Sequence, residues 1–332
     1  CNLCGLCVLG CDRHAKNTLD LTYLKHAESL GAEIRPLCQV ESVTPRGGGY
    51  EVSFRSLSEP EKPEQPVHAR SVYLAAGSLG TTELLLRCRD LHRTLPNLSL
   101  HLGWGWSANG DFFAGLLDAR LPLVPTVGPS VAGGYDASEA GEFYVLEGAI
   151  PAALAARRKT LLRLATRALA WLRLSGRKRA PLASSAESCG ESDMEELLRY
   201  LGAFFLMGRD ASDGRLLLDP RGRLGLLWDA RESELLLNRM RRYLRELGKG
   251  YGGWMLVPPP WWETGLSGTV HPLGGCGMGR DPSEGVVDAF GRVFGYPNLY
   301  VCDGSIFPRA LGVPPSMTIA ALAEHIVAHS DR

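Results

Sequence analysis

A single histidine, His271, stands in a stretch crowded with glycine, and that stretch restricts the chain more than any other. It reads Gly268-Thr269-Val270-His271-Pro272-Leu273-Gly274-Gly275-Cys276-Gly277-Met278-Gly279. With few side chains in the way, an imidazole placed there can reach a bound ligand. Further on, Asn298-Leu299-Tyr300-Val301-Cys302-Asp303-Gly304-Ser305 is a short apolar strand that ends in a turn. Gly312-Val313-Pro314-Pro315-Ser316 then leads into the apolar run Met317 to Ala323. The order is strand, turn, loop and helix, with Ser316 as the expected cap. The N-terminus of such a helix offers free N–H groups to an anion or to a polarised ring edge.

These residues resemble the C-terminal signature of the glucose–methanol–choline (GMC) family of FAD oxidoreductases, in its cholesterol oxidase-like branch. The resemblance continues upstream. Gly10-Cys11 with Ala15-Lys16-Asn17-Thr18-Leu19 is similar to a segment that opens a helix in that branch. Leu74 to Leu85, which contains Ala76-Gly77-Ser78, is similar to a flavin-contacting turn, and Gly103 to Asp111, with Asn109-Gly110-Asp111, also matches. The motifs occur in family order and cover most of the chain except roughly 150–200. The resemblance implies an α/β fold: a Rossmann-like FAD domain formed by 1–110 and 261–332, with an α+β substrate domain of sheet and helix at 111–260. It implies FAD as cofactor, with contacts at Val40, Ala76, Gly77, Gly110, Asp303, Gly304, Pro315 and Ser316. A complete member opens with a strand and a G-x-G-x-x-G turn that seats the diphosphate. No such unit occurs here, and the chain starts at Cys1. The expectation is a Rossmann-like domain without its first βαβ unit, in a piece of a longer protein. A signal or targeting segment is then out of view.

Composition agrees with a globular chain. The 332 residues suffice for one large or two ordinary domains, and 45% are apolar and 22% charged. The formal net charge is zero, so no global field favours nucleic acid or an acidic substrate. The longest uncharged apolar runs fall far short of a membrane span.

Local patterns predict the elements. Asn17 or Thr18 opens a helix that runs to Leu30 and stops at Gly31, with Leu21, Leu24, Ala27 and Leu30 as its inner face. A strand from Ala32 to Val43 and another from Tyr50 to Phe54 flank a Gly47-Gly48-Gly49 turn. Val40 is either a strand core residue or, as the resemblance implies, a backbone contact to adenine. Val67 to Leu74 reads as one buried strand and Thr81 to Cys88 as a helix. From about Asp111 the pattern turns to antiparallel strands, among them Phe143 to Glu147 and Arg215 to Trp228 around the Asp219-Pro220-Arg221-Gly222 turn. Leu236 to Leu247 is a helix. Residues 151–180 hold nine basic residues and no acidic one, interleaved with leucines. They form either a solvated cap on the substrate domain or a helix lying on a membrane surface. The compartment is accordingly cytoplasmic or peripheral to a membrane.

Nine cysteines are present, and Cys1, Cys4, Cys7 and Cys11 have a ferredoxin-like spacing. Asp12 follows in place of the usual proline, and no second run completes a pair. These four are either ordinary thiols, with or without a local disulfide, or metal ligands. The scattered cysteines do not fix a redox compartment.

Alcohol oxidation needs a group that takes the hydroxyl proton while hydride passes to flavin N5. The resemblance implies His271 for that role, whereas His26, His325 and His329 read as structural. The family's second active-site position, a His or Asn, is Pro314 here, which has neither a side-chain donor nor an N–H. A neighbouring backbone amide, a water or Asn109 is the expected substitute. Glu147 resembles the acid that sterol oxidases use for double-bond isomerisation, or else is an exposed strand-end carboxylate. The implied function is FAD-dependent oxidation of a sterol-like or other hydrophobic alcohol. Two alternatives stand beside it: an inactive remnant or binding subunit with the same fold, and an iron–sulfur electron-transfer protein.

Overall fold

Left-handed backbone at Gly47 and Gly48, with φ of 60° and 81°, closes the first hairpin. Two consecutive positive φ angles give a two-residue turn whose twist matches its strands, which is why glycine occupies both places. The turn joins β1 (Cys38–Arg46) to β2 (Gly49–Ser56), and β3 (Val67–Ala69) adds to the other side of β2. The computed structural model describes residues 1–61, 65–137, 142–151, 198–257 and 268–330. The expected helix face at 151–180 therefore lies almost wholly outside the described residues. Among those described, no helix is long and apolar enough to cross a membrane.

Several local expectations need correction. The helix from residue 17 is a 3-10 turn, Leu19–Leu21, followed by α1 (Tyr23–Ser29). None of its side chains is buried. A three-residue apolar spacing makes a face, but only an element packed against that face can bury it. The strand expected from Ala32 starts at Cys38, because Leu37 sits at φ 55° and turns the chain just before it. Val40 is 41% exposed rather than part of a core. It lies on the edge strand of its sheet, next to a register shift. The single strand expected over Val67 to Leu74 is two. β3 pairs antiparallel with β2, whereas β4 (Val72–Leu74) pairs parallel with β13 (Leu299–Val301). The break falls where the chain changes sheets.

The chain divides into two compact units. One comprises Glu33–Asp111, Met207–Leu236 and Trp261–Arg332. Its core gathers Leu74, Leu85, Leu86, Leu299, Tyr300, Val301 and Ile306 around the β4–β13 pair. α2 (Gly77–Leu86) follows β4, so strand, turn and helix run in sequence. Here β5 (Trp104–Trp106), β10 (Gly214–Leu218) and β11 (Leu224–Leu227) form a second small sheet, with Trp106 packed edge-on against Trp228. The last helix, α4 (Ser316–Ala328), buries only Ile326, and Met317 on it is 81% exposed.

The other unit comprises Cys1–Ala32, Phe112–Leu206 and Leu237–Pro260. Its sheet has the order β12-β6-β9-β8-β7, formed by Trp254–Leu256, Phe112–Leu117, Gly202–Gly208, Phe143–Gly148 and Val131–Asp136. α3 (Glu234–Gly250) buries Leu237, Met240 and Leu244, a three- and four-residue spacing that forms one stripe. Its Tyr243 ring packs edge-on against Phe143 of β8, and its hydroxyl donates to that of Tyr135. Relative to the division expected from sequence, 1–32 clusters with the sheet-rich unit and 207–236 with the unit that holds His271.

The burial pattern separates two substitutions. Leu299→Ala removes a fully buried side chain and should cost about 2–5 kcal/mol. Met317→Ala should change stability by no more than about 0.5 kcal/mol. Urea denaturation measures both.

Candidate active site

A four-residue turn carries the site. Asn109 and Gly110 both take positive φ, 54° and 60°, and the Asp111 N–H donates back to the Ala108 carbonyl. A Cβ on Gly110 would sit 2.5 Å from the Gly208 carbonyl oxygen and 2.7 Å from its nitrogen, so no other residue fits without moving backbone. The Gly208 N–H donates to the Asn109 carbonyl. Asp210 locks the turn from the same side, accepting the Ser107 hydroxyl at 2.7 Å and the Gly110 N–H at 3.2 Å.

Asp111 points the other way, into the glycine-rich loop. Its carboxylate has 3% side-chain exposure and accepts the Val270 N–H at 2.8 Å. The Thr269 hydroxyl lies 2.8 Å from the same oxygen, Oδ2, and Oδ1 is 2.8 Å from His271 Nδ1. The Thr269 oxygen in turn accepts the His271 N–H at 2.9 Å. A carboxylate only accepts, so His271 carries its proton on Nδ1 and keeps Nε2 as a free acceptor in the neutral ring. The imidazole remains partly exposed while its partner is sealed. Asp111 was legible as part of a motif, but its role was not: 160 residues separate it from His271.

Asn109 does something other than expected. Its Oδ1 accepts from Leu311 N at 3.0 Å and Gly312 N at 2.8 Å, and its Nδ2 donates to Val313 O at 2.9 Å. The amide is a clamp on the loop before Pro314, not a substitute for the catalytic side chain that Pro314 lacks. One turn therefore fixes both the His271 loop and the 311–313 loop.

The expected cofactor residues form two groups. Asp303 is buried and bridges elements: Oδ2 accepts from Gly77 N and the Thr81 hydroxyl, and Oδ1 accepts from Ser305 N. It holds the Ala76-Gly77 turn against the turn at Gly304, whose carbonyl accepts the Gly274 N–H. Ala76 is exposed. Pro315, not Ser316, is the N-cap of α4, and it makes no side-chain cap; Ser316, Met317 and Thr318 stand exposed in the first turn. Glu147 belongs to the other unit, half-buried on β8. Burial, and after it the Glu147 carboxylate, raises the Tyr251 phenol above its ordinary range.

Among the described residues no group of three or more His, Cys, Asp or Glu is placed to hold a metal ion, and all four N-terminal thiols are free. Cys4 pairs with Gly128, the Ser130 hydroxyl donates to Gly5 O, and Val8 N donates to the Ser130 oxygen. These bonds lay the segment along 128–130. Hydrogen bonds from Ser130 lower the Cys7 thiol, and those from Ala15 and Arg13 lower Cys11. Burial raises Cys276 to about 12.

Residues 1–101 match the N-terminal model of the GMC oxidoreductase family, and 260–323 match its C-terminal model. A cholesterol oxidase of Acinetobacter baumannii is 30% identical over 345 residues, an alignment that takes in 99% of this chain and 61% of that protein. A cholesterol oxidase of Mycobacterium tuberculosis is 30% identical over 356 residues, with 98% and 58% covered. The chain belongs to the GMC oxidoreductase family. It spans about three fifths of the length of these GMC relatives. A solved FAD-dependent oxidoreductase from Chaetomium thermophilum shares the fold, with a TM-score of 0.58 at 14% identity over 93% of this chain and 63% of that one.

GMC membership implies FAD, and the residues present fit the ring end of that cofactor. The first turn of α4 has no side-chain cap and lies exposed, a donor set suited to the oxygens of a pyrimidine-like ring edge. Ala76 presents only a methyl group at the start of α2, where a flat ring can approach. For the diphosphate, no strand among the described residues leads through G-x-G-x-x-G into a helix.

Two outcomes follow from this geometry. Asn109→Ala leaves buried amides of the 311–313 loop without acceptors and should cost about 2 kcal/mol or more by thermal or urea unfolding. In the native protein, alkylation read by peptide mass spectrometry should proceed at Cys7 and Cys11 at a lower pH than at Cys276. A lowered thiol reaches its reactive thiolate earlier as pH rises.

Proposed function

We propose that this chain is the catalytic-histidine-bearing part of an FAD-dependent oxidoreductase that acts on the CH–OH group of a hydrophobic alcohol, with sterols the favoured class. The hydrogen-bonded pair of His271 with buried Asp111 carries the reading. FAD, when bound, supplies the acceptor for the hydride that leaves the carbinol carbon. His271 Nε2 accepts the hydroxyl proton. Asp111 holds the ring in the tautomer that leaves Nε2 free, and it faces the imidazolium charge once the proton has moved. The exposed first turn of α4 and the Ala76-Gly77 turn hold the ring end of the cofactor. The cholesterol oxidases among the relatives, aligned along nearly the whole chain, support the sterol class.

A second reading rests on Pro314: a binding protein that has kept the fold and lost the chemistry. Asn109 does not rescue the position, because its amide is spent on the 311–313 loop.

In the flavin-loaded protein, His271→Ala should slow alcohol-dependent flavin reduction by roughly 10²–10⁴-fold and leave flavin absorbance intact. Asp111→Asn should retain flavin and give a smaller loss. Stopped-flow reduction measures both; a wild-type rate in His271→Ala removes His271 from the mechanism, and no reduction by alcohol in the unsubstituted, flavin-loaded protein leaves the binding protein.

A further inference from the structure

Away from the His271 loop, two imidazoles stand side by side at the end of α4. His325 and His329 are four residues apart, with ring centroids 4.3 Å apart and planes at 41°. Both are exposed, so burial does not force the pairing. Phe290 backs both rings, stacking on His325 at 5.7 Å and 18° and lying 5.6 Å from His329. His329 Nδ1 is 2.8 Å from the His325 carbonyl oxygen. A carbonyl only accepts, so that nitrogen carries the proton and Nε2 keeps its lone pair. The same backbone oxygen accepts the His329 N–H at 3.2 Å, which fixes the residue further.

We propose that His325 and His329 form a surface site for a borderline divalent cation of the zinc or nickel type. One helical turn between two histidines brings both rings onto one face, within chelating reach of a single ion. Neutral imidazole nitrogen is the donor such ions prefer. The carbonyl behind His329 plays the part of the outer-shell acceptor that orients metal-binding histidines, and Phe290 holds the rings before an ion arrives. Among the described residues no third side chain completes a cluster, so water fills the remaining positions. Arg292 sets an upper limit on affinity. Its guanidinium lies over Phe290 at 5.7 Å and its Nη2 donates to His329 O at 3.3 Å, so its charge opposes a bound cation.

Isothermal titration of the untagged chain with nickel chloride tests the site. At about pH 7.5 one saturable site is expected. His325→Ala and His329→Ala should each weaken binding by about tenfold or more, and the double variant should abolish it. Both side chains are exposed, and unchanged far-UV circular dichroism confirms that the variants fold. No binding by the wild type overturns the proposal. So does wild-type affinity in the double variant, which would send the ion elsewhere, the N-terminal thiols included.

Discussion

The Asp111 carboxylate is sealed from solvent, and everything else at the candidate site is arranged around what it accepts. It binds the backbone of the glycine-rich loop at Val270, the hydroxyl of Thr269 and the ring of His271. An unpartnered carboxylate in that place would carry a large desolvation cost, so the loop must close on it for the buried charge to be tolerable. Burial of the charge and orientation of the imidazole are thus one event. Beyond it, backbone bonds from Leu273 to Ser107 and from Gly274 to Gly304 continue the hold on the loop. The glycines on either side let the backbone come close enough.

The turn that carries Asp111 shows which parts of this arrangement were legible in the sequence. The Gly47-Gly48 hairpin is visible by local rules alone, whereas Asn109-Gly110 stands out only through the resemblance that its stretch carries. His271 stood out by its neighbours and by resemblance. The pairing with Asp111 was not visible, because it joins residues far apart in sequence and leaves no local pattern. Asn109 was misread for the same reason: a short polar side chain next to an active-site motif looks catalytic until its three partners, all some two hundred residues away, are seen. The change of sheet between β3 and β4 escaped because apolar alternation encodes which side a residue faces, not which strand it will pair with. The exposed face of α1 had a further cause. Periodicity states that a face exists; burial depends on another element meeting it.

Asp303 repeats the same device on a smaller scale. It ties the start of α2 to the turn after β13 with one carboxylate, across the parallel β4–β13 pair. Both strands of that pair deliver their following turns to the same end, as parallel strands must, and Asp303 fixes the spacing between them. The two turns named by sequence motif are neighbours because of strand direction, and rigid because of one buried acid.

The close approach of Gly110 and Gly208 has a consequence of a different kind. The chain leaves one unit just after Gly110 and comes back just before Gly208, and at that neck the two backbones touch. Asp210 and the Asn109 carbonyl tie the neck shut. Everything between, close to a hundred residues, enters and leaves through a gate whose width is set by the absence of one methyl group.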